Sequence, residues 1–371
     1  MRRVMLIVVL AQFCGTSLWF TGNAVIPFLP EGHDIGWITS SVQLGFITGT
    51  LVFAVLGISD RFSPSLVFFA SSLLGAAANL GLVAEGISAT ALLTSRLLTG
   101  FFLAGVYPVG MKIAADWSEK GLGVFLGWLV GALVIGTALP HWIRSLHFGS
   151  GWELIPVTSS ALAAAGGLSV QLFVRNGPFR QRAPKFRPGA VVRAFAQPDF
   201  RAAAVGYFGH MWELYAFWAF VPMLFAGSES SSVLSFTAIS MGGAGCVLGG
   251  LVSRRMGSAR VAFCSLAVSG VCCLISPWLS GLPEALRIAV VFIWGFFVVS
   301  DSPQFSTLVA QTVSPEYRGS ALTMVTCIGF GITVASIQLL SYANSALGGS
   351  LLFLLLLPGP LAGLWGMRRL V

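Results

Sequence analysis

The chain predicts an all-α membrane protein: twelve transmembrane helices in two pseudo-symmetric six-helix bundles. Three observations carry that prediction. Charged residues are 9% of the 371-residue chain and hydrophobic residues 56%, whereas a soluble domain carries roughly 25% charge. Twelve long apolar stretches are separated by short polar loops, and a hydrocarbon core about 30 Å thick takes roughly 20 residues of helix to cross. Nearly every positive charge falls on alternate loops. Helices suit the setting because each closes its backbone hydrogen bonds within itself.

Span 1 (residues 4–28) follows Arg2-Arg3, which also opens a secretory signal. The apolar run is too long for such a signal, and no alanine-based cleavage site follows it. Gln12, Thr16, Trp19 and Asn23 recur along it at i, i+4, i+7 and i+11, which puts them on one helix face. Span 2 (36–58) leads through Asp60 and Arg61 to span 3 (66–86). Span 4 (88–111) holds Arg96 in its outer half and Tyr107-Pro108 further on; proline removes a backbone donor, so a kink is expected there. Span 5 (121–143) carries Gly123, Gly127, Gly131 and Gly136, then Pro140. Small residues at four-residue spacing let helices approach closely. Span 6 (153–174) completes the first bundle, residues 1–174.

The longest polar stretch, 175–201, contains Pro178, Pro184 and Pro188 among several basic residues and reads as a cytoplasmic linker. The second bundle, 202–371, holds spans 202–225, 231–252, 259–280, 285–309, 318–343 and 348–367. Its seventh span carries His210 and Glu213, and its tenth carries Asp301 with Gln304 a turn on. All six cysteines fall within apolar spans and form no CxxC pair. They are expected to be reduced and packed as small hydrophobes. Neither cofactor nor metal is expected.

A net charge of +8 and a pI near 9.6 can suggest nucleic acid, so the positions of the charges decide. Of the 21 Lys and Arg, Arg144 and Arg287 fall on outer loops and Arg96 within a span. The others, including Lys112, Lys120, Arg182, Lys185, Arg187 and Arg193, lie in or beside the alternate loops or at the termini. Positive residues stay on the cytoplasmic side, so both termini are expected there, in a bacterial inner membrane. The basic balance reports topology rather than DNA binding. The expected partners are protons, a small-molecule substrate and the lipid bilayer, for a chain working as a monomer.

Six spans on each side of a linker point to an internal repeat, with a binding site expected between the halves. The two corresponding loops are both basic and entered through glycine: Gly57 to Pro64, and Gly250 to Arg260 with Arg254-Arg255. On these residues the whole chain resembles the major facilitator superfamily of twelve-helix secondary transporters. Gly250, Arg255 and Gly257 match that family's Gly-x-Leu-x-Asp-Arg-x-Gly loop, with Arg254 in place of aspartate; Asp60 and Arg61 match it in the first half, without the flanking glycines. Arg96 and Gly100 fit its span-4 Arg-x-x-x-Gly, and Pro315-Glu-Tyr-Arg318-Gly319 is similar to many members. Leu139-Pro140-His141-Trp142 fits the antiporter signature of span 5 only in part. The resemblance implies a gating role for Asp60, Arg61, Arg254 and Arg255, and a cavity lined by spans 1, 4, 7 and 10.

Charges inside a span are costly and point to function by default. Glu213 and Asp301 are therefore candidate proton-coupling sites, with His210 and Arg96 beside them as partner and counter-charge or anion clamp. A carboxyl in a low-dielectric setting can exchange a proton near neutral pH. The plain alternative is a static network holding helices in register. Gln12, Thr16, Trp19, Asn23, Tyr107, Trp212 and Gln304 are candidate substrate contacts. Tyr215, Trp218 and Trp294 can frame a flat or cationic solute, although packing is the commoner use of such rings. Together these features predict a secondary transporter of a small organic solute, proton-coupled, by alternating access. The alternatives are an efflux antiporter of the same fold, a membrane-embedded enzyme, or a sensor or scaffold. An enzyme needs clustered polar residues at a membrane face, and His33, His141, His147 and His210 are scattered.

Overall fold

The computed structural model describes residues 2–29, 34–84, 86–119, 122–146, 151–180, 186, 188–347 and 349–371. His33, Lys120, His147, Arg182, Lys185 and Arg187 lie outside the described residues. Every regular element among the described residues is helical. The chain divides into two compact units, Met1–Ala183 and Pro184–Val371.

The first unit contains α1 (Arg2–Thr16), α2 (Thr21–Val25), α3 (Ile35–Leu56), the single turn α4 (Ile58–Arg61), α5 (Pro64–Asn79), α6 (Ala89–Leu103), α7 (Tyr107–Asp116), α8 (Leu122–Ser145) and α9 (Leu154–Phe173). Local chemistry sets its boundaries. The Asp34 carboxylate caps α3 by accepting from Gly36 N, and Gly57 ends α3 at φ 60°, a left-handed conformation that glycine adopts without penalty. Proline opens α5 and α7, where its missing N–H has no intrahelical acceptor to lose.

The second unit contains α10 (Pro188–Ala194), α11 (Pro198–Phe220), α12 (Ser231–Met256), α13 (Ser258–Ile275), α14 (Glu284–Ser300), α15 (Ser302–Gln311), α16 (Arg318–Leu347) and α17 (Pro358–Met367). Among the described residues, ten helical segments are long and apolar enough to cross a membrane. Counting α1 with Thr21–Phe28, bent by 45°, as one span makes eleven. The expected seventh span forms the long helix α11 but is not among them. Its aromatic and polar residues lower its hydropathy, and nearly all of them past Arg201 are buried within protein. A helix ringed by protein has no need of a lipid-like surface.

Equivalent helices pack in the same pairs in each unit. α3 lies on α6, α5 on α9 and α1 on α8 and α9; α12 lies on α14, α13 on α17 and α11 on α16 and α17. Glycines make the closest of these crossings. A Cβ on Gly100 would strike the Val42 carbonyl, and one on Gly295 the Ala238 carbonyl. Span 5 departs from expectation: Gly136 meets Phe13 O and Thr16 on α1, but Gly123 and Gly127 have nothing within 4 Å. Spacing identifies a face, not whether a neighbour covers it.

Among the described residues, three spans each consist of two successive α-helices. Span 1 breaks between α1 and α2, span 4 between α6 and α7, and span 10 at Asp301 between α14 and α15. The expected kink at Pro108 is thus a full interruption over residues 104–106, with the proline in the first turn of a new helix. The expected linker also differs from a loose tether. Trp117 Nε1 donates to Arg175 O (3.0 Å), Phe179 N to Asp116 O (3.0 Å), and α10 packs on α16. Its described parts are therefore packed onto one unit or the other.

Candidate functional site

The second unit has a charged centre built by α11, α13 and α14. His210 and Glu213 are one turn apart on α11, and both are 1% exposed. Glu213 accepts three hydrogen bonds: from Trp294 Nε1 to Oε1 (2.6 Å), from Ser269 Oγ to Oε2 (2.9 Å) and from Cys273 Sγ to Oε1 (3.3 Å). Ser269 and Cys273 stand at i and i+4 on α13, so one helix face supplies two of the donors. A buried carboxyl is costly unless hydrogen-bonded, and here both oxygens are served.

Asp301 occupies the break in span 10, and its Oδ1 lies 2.8 Å from His210 Nδ1. Both side chains are sealed from solvent. Neither ring nitrogen of His210 and neither carboxyl oxygen of Asp301 meets hydrogen-bond geometry with a described residue, so the 2.8 Å approach is a close polar contact. Tyr207 and Phe305 rings flank the imidazole. The Asp301 carbonyl accepts from Gln304 N and Phe305 N, both at 2.9 Å, so one residue starts α15 and presents the acid. Gln304 is buried beside it. Sequence spacing put His210 next to Glu213; the fold pairs it with Asp301 instead.

In the first unit Arg96 is wholly buried. Its Nη1 donates to Asn79 Oδ1 (2.6 Å), and its Nη2 donates to Leu18 O (2.8 Å) and Trp19 O (3.1 Å). These two carbonyls belong to the turn between α1 and α2, which has lost part of its helical bonding. Arg96 restores it. The expected counter-charge is corrected accordingly: the acceptors of Arg96 are neutral, because a break in a buried helix leaves carbonyls that need donors.

The polar face of span 1 is buried. Thr16 donates to Gln12 O (2.9 Å) and Leu133 O (3.3 Å), Trp19 to Gln43 Oε1 (3.3 Å), and Asn23 to Thr39 Oγ1 (2.8 Å). Gln43 Nε2 and both amide atoms of Gln12 lack a partner among the described residues. Tyr107 opens α7 and is half-buried. Trp212 is a correction: its Nε1 donates to Leu355 O (3.1 Å) and its ring lies over Gly359, so it turns from Glu213 into helix packing. Tyr215 packs on Trp218 and Phe330, and Trp294 on Phe217.

At the ends of spans 2 and 4, Asp60 Oδ1 lies 3.0 Å from Lys112 Nζ, which also lies 3.7 Å from Asp116 Oδ1. Arg180 holds the same loop through Phe62 O (2.7 Å) and Asp60 O (3.3 Å). Arg61, Arg254 and Arg255 are exposed. The latter two sit in the last turn of α12, where positive charge complements the helix dipole.

Glu213, Asp301 and Arg96 were expected to border an aqueous pocket. Each is sealed in the conformation described. A cavity of about 290 Å³ lies elsewhere in the second unit, lined by Val191, Arg193, Gln197, Val313, Ser314 and Tyr317 among others. It contains none of the intramembrane charges, and the site is placed at those charges because of their burial and bonding. Sequence reasoning missed Ser269, Cys273, Asn79, Lys112 and Asp116. The i, i+4 spacing of Ser269 with Cys273 and of Lys112 with Asp116 was visible; the partner across each helix was not. Cys273 and Cys246 also correct the view of the cysteines as purely apolar, since Cys246 Sγ donates to Val299 O (3.2 Å).

No curated protein matches the chain. The family model of the Major Facilitator Superfamily matches residues 8–333. Members of that family are multi-pass membrane transporters of small molecules, not enzymes.

Proposed function

The chain belongs to the Major Facilitator Superfamily, and on that premise we propose that it is a proton-coupled secondary transporter of a small organic solute, working by alternating access. One observation carries the coupling: two buried acids in one unit, Glu213 and Asp301, each held by its own buried partners. A network that only held helices in register could use neutral amides at lower desolvation cost. Ionisable groups at membrane depth favour proton transfer instead. In this reading Glu213 and Asp301 load protons, and His210 partners Asp301. Arg96 braces the break in span 1. Gln12 and Gln43, with amide atoms not committed to the described protein, are the substrate contacts favoured in the first unit, where Asn23, Thr16, Trp19 and Tyr107 are further candidates; Gln304 is a candidate in the second unit.

The Asp60–Lys112–Asp116 cluster is assigned to gating, with Arg61 beside it; the exposed Arg254 and Arg255 are given the matching position in the second unit. Residues 1–174 and 202–371 act as the two moving bundles, in an inner membrane with both termini cytoplasmic, and the chain works as a monomer. Solute uptake into proteoliposomes, with and without a pH gradient, tests the coupling. Glu213→Gln and Asp301→Asn should each abolish gradient-driven flux while sparing solute exchange. Full gradient-driven uptake by both variants would overturn the assignment.

A further inference from the structure

We propose that Glu213 takes its proton on Oε2 alone, and that Ser269 is the positioning residue whose hydroxyl turns between Glu213 Oε2 and the Leu266 carbonyl to serve both charge states. The inference rests on the coupling role given to Glu213 above. It starts from the inventory of donors. An indole N–H donates and never accepts, and Trp294 Nε1 lies 2.6 Å from Oε1. A proton on Oε1 would compete with that bond. Cys273 Sγ approaches the same oxygen at 3.3 Å, so Oε1 is an acceptor in either charge state.

Oε2 faces a different kind of group. A hydroxyl has one hydrogen and two acceptor lone pairs. Ser269 Oγ stands 2.9 Å from Oε2 and 3.2 Å from Leu266 O. With Glu213 ionised, the hydroxyl hydrogen points at Oε2. With Glu213 neutral, Oε2–H donates to Oγ, and the hydroxyl hydrogen turns to Leu266 O. Both states are then fully hydrogen-bonded with the heavy atoms where they are. The step is a single protonation: one O–H bond forms at Oε2 with a proton drawn from water, and no bond at Ser269 breaks.

The other titratable groups facing Glu213 are Cys272 and Cys273 on α13 and, from the break in span 10, Asp301 with its partner His210. None of them is hydrogen-bonded to Oε2. Ser269 therefore controls the local environment of that oxygen. The two charge states differ only in hydrogen positions at Oε2 and Ser269 Oγ, with the heavy atoms of α11, α13 and α14 in place.

Infrared difference spectroscopy of the purified full chain across a pH titration tests this without knowledge of the substrate. The signal is the carbonyl stretch of the protonated carboxyl that Glu213→Gln removes. Ser269→Ala should shift that band and raise its titration midpoint by about one pH unit or more, because the bond the hydroxyl donates to the ionised carboxylate is stronger than the one it accepts from the neutral acid. Ser269→Thr keeps the hydroxyl and should restore both. Trp294→Phe should split the band into two populations, since the proton is no longer confined to one oxygen. A band and midpoint indifferent to Ser269→Ala, in a protein that unfolds at the wild-type temperature, overturn the inference and leave Glu213 as a coupling group. If no Glu213-dependent band titrates at any accessible pH, the coupling reading fails and the inference with it.

Discussion

Arg96 shows how a single charge inside a membrane protein can be held entirely by neutral acceptors, two of them main-chain carbonyls. Its guanidinium reaches Leu18 O, Trp19 O and Asn79 Oδ1, tying the break in span 1 to spans 3 and 4. Arg96→Met leaves these buried acceptors without donors, and each such loss costs about 1–3 kcal/mol. Thermal unfolding in detergent should therefore show a loss of at least about 3 kcal/mol in Arg96→Met. Asn79→Ala keeps the two carbonyl bonds of Arg96 but also loses those that Asn79 Nδ2 donates to Pro156 O and Ser160 Oγ, so its loss should be of similar size. Equal stability of Arg96→Met and wild type would return Arg96 to the role of a ligand clamp. The type and depth of Arg96 were legible in the sequence. Its acceptors were not, because they lie 77, 78 and 17 residues away along the chain.

At the scale of the helix, close crossings are made by backbone rather than by side-chain volume. Gly100 in α6 and Gly295 in α14 meet carbonyls of α3 and α12. A methyl group at either position forces two helices apart, since main chain cannot swing away as a side chain can. Gly100→Ala and Gly295→Ala should each lower stability by about 2 kcal/mol or more. Gly127→Ala, where no described residue lies within 4 Å, should be neutral or raise stability by up to about 1 kcal/mol, since alanine is the better helix former. A loss at Gly127 as large as those at Gly100 and Gly295 would mean that crossing distance does not govern them. The glycine spacing in span 5 gave a correct face for Gly136 and an empty one for Gly127. Periodicity alone does not separate these cases.

At the scale of the molecule, the alternation of basic loops makes a prediction about sidedness. An impermeant thiol reagent applied to intact cells should label Ser145→Cys, near the outer end of α8, above the wild-type background. Ser258→Cys, between α12 and α13, should be labelled only after permeabilisation. The reverse pattern would invert the topology and with it the sides on which Asp60 and Lys112 act. The six-plus-six hydropathy pattern led to the expectation of two related bundles; which helices pair in each unit is read from the structure. α11 was legible as a span from its length, although it is less apolar than its neighbours, because its surroundings are protein.

By itself the sequence determined the helical class and the approximate place of the apolar helices, and it carries the expectation of orientation. These follow from local requirements: a backbone in hydrocarbon must bond within its own segment, and each loop carries its own charge. Tertiary structure alone decided the chemistry of the buried acids. Glu213 meets Ser269, 56 residues on, and Trp294, 81 residues on, while Asp301 takes the histidine that spacing had set beside Glu213. Helical periodicity says which residues share a face. Which helix packs against that face, and which atom it brings within bonding distance, depends on how the whole unit fits together.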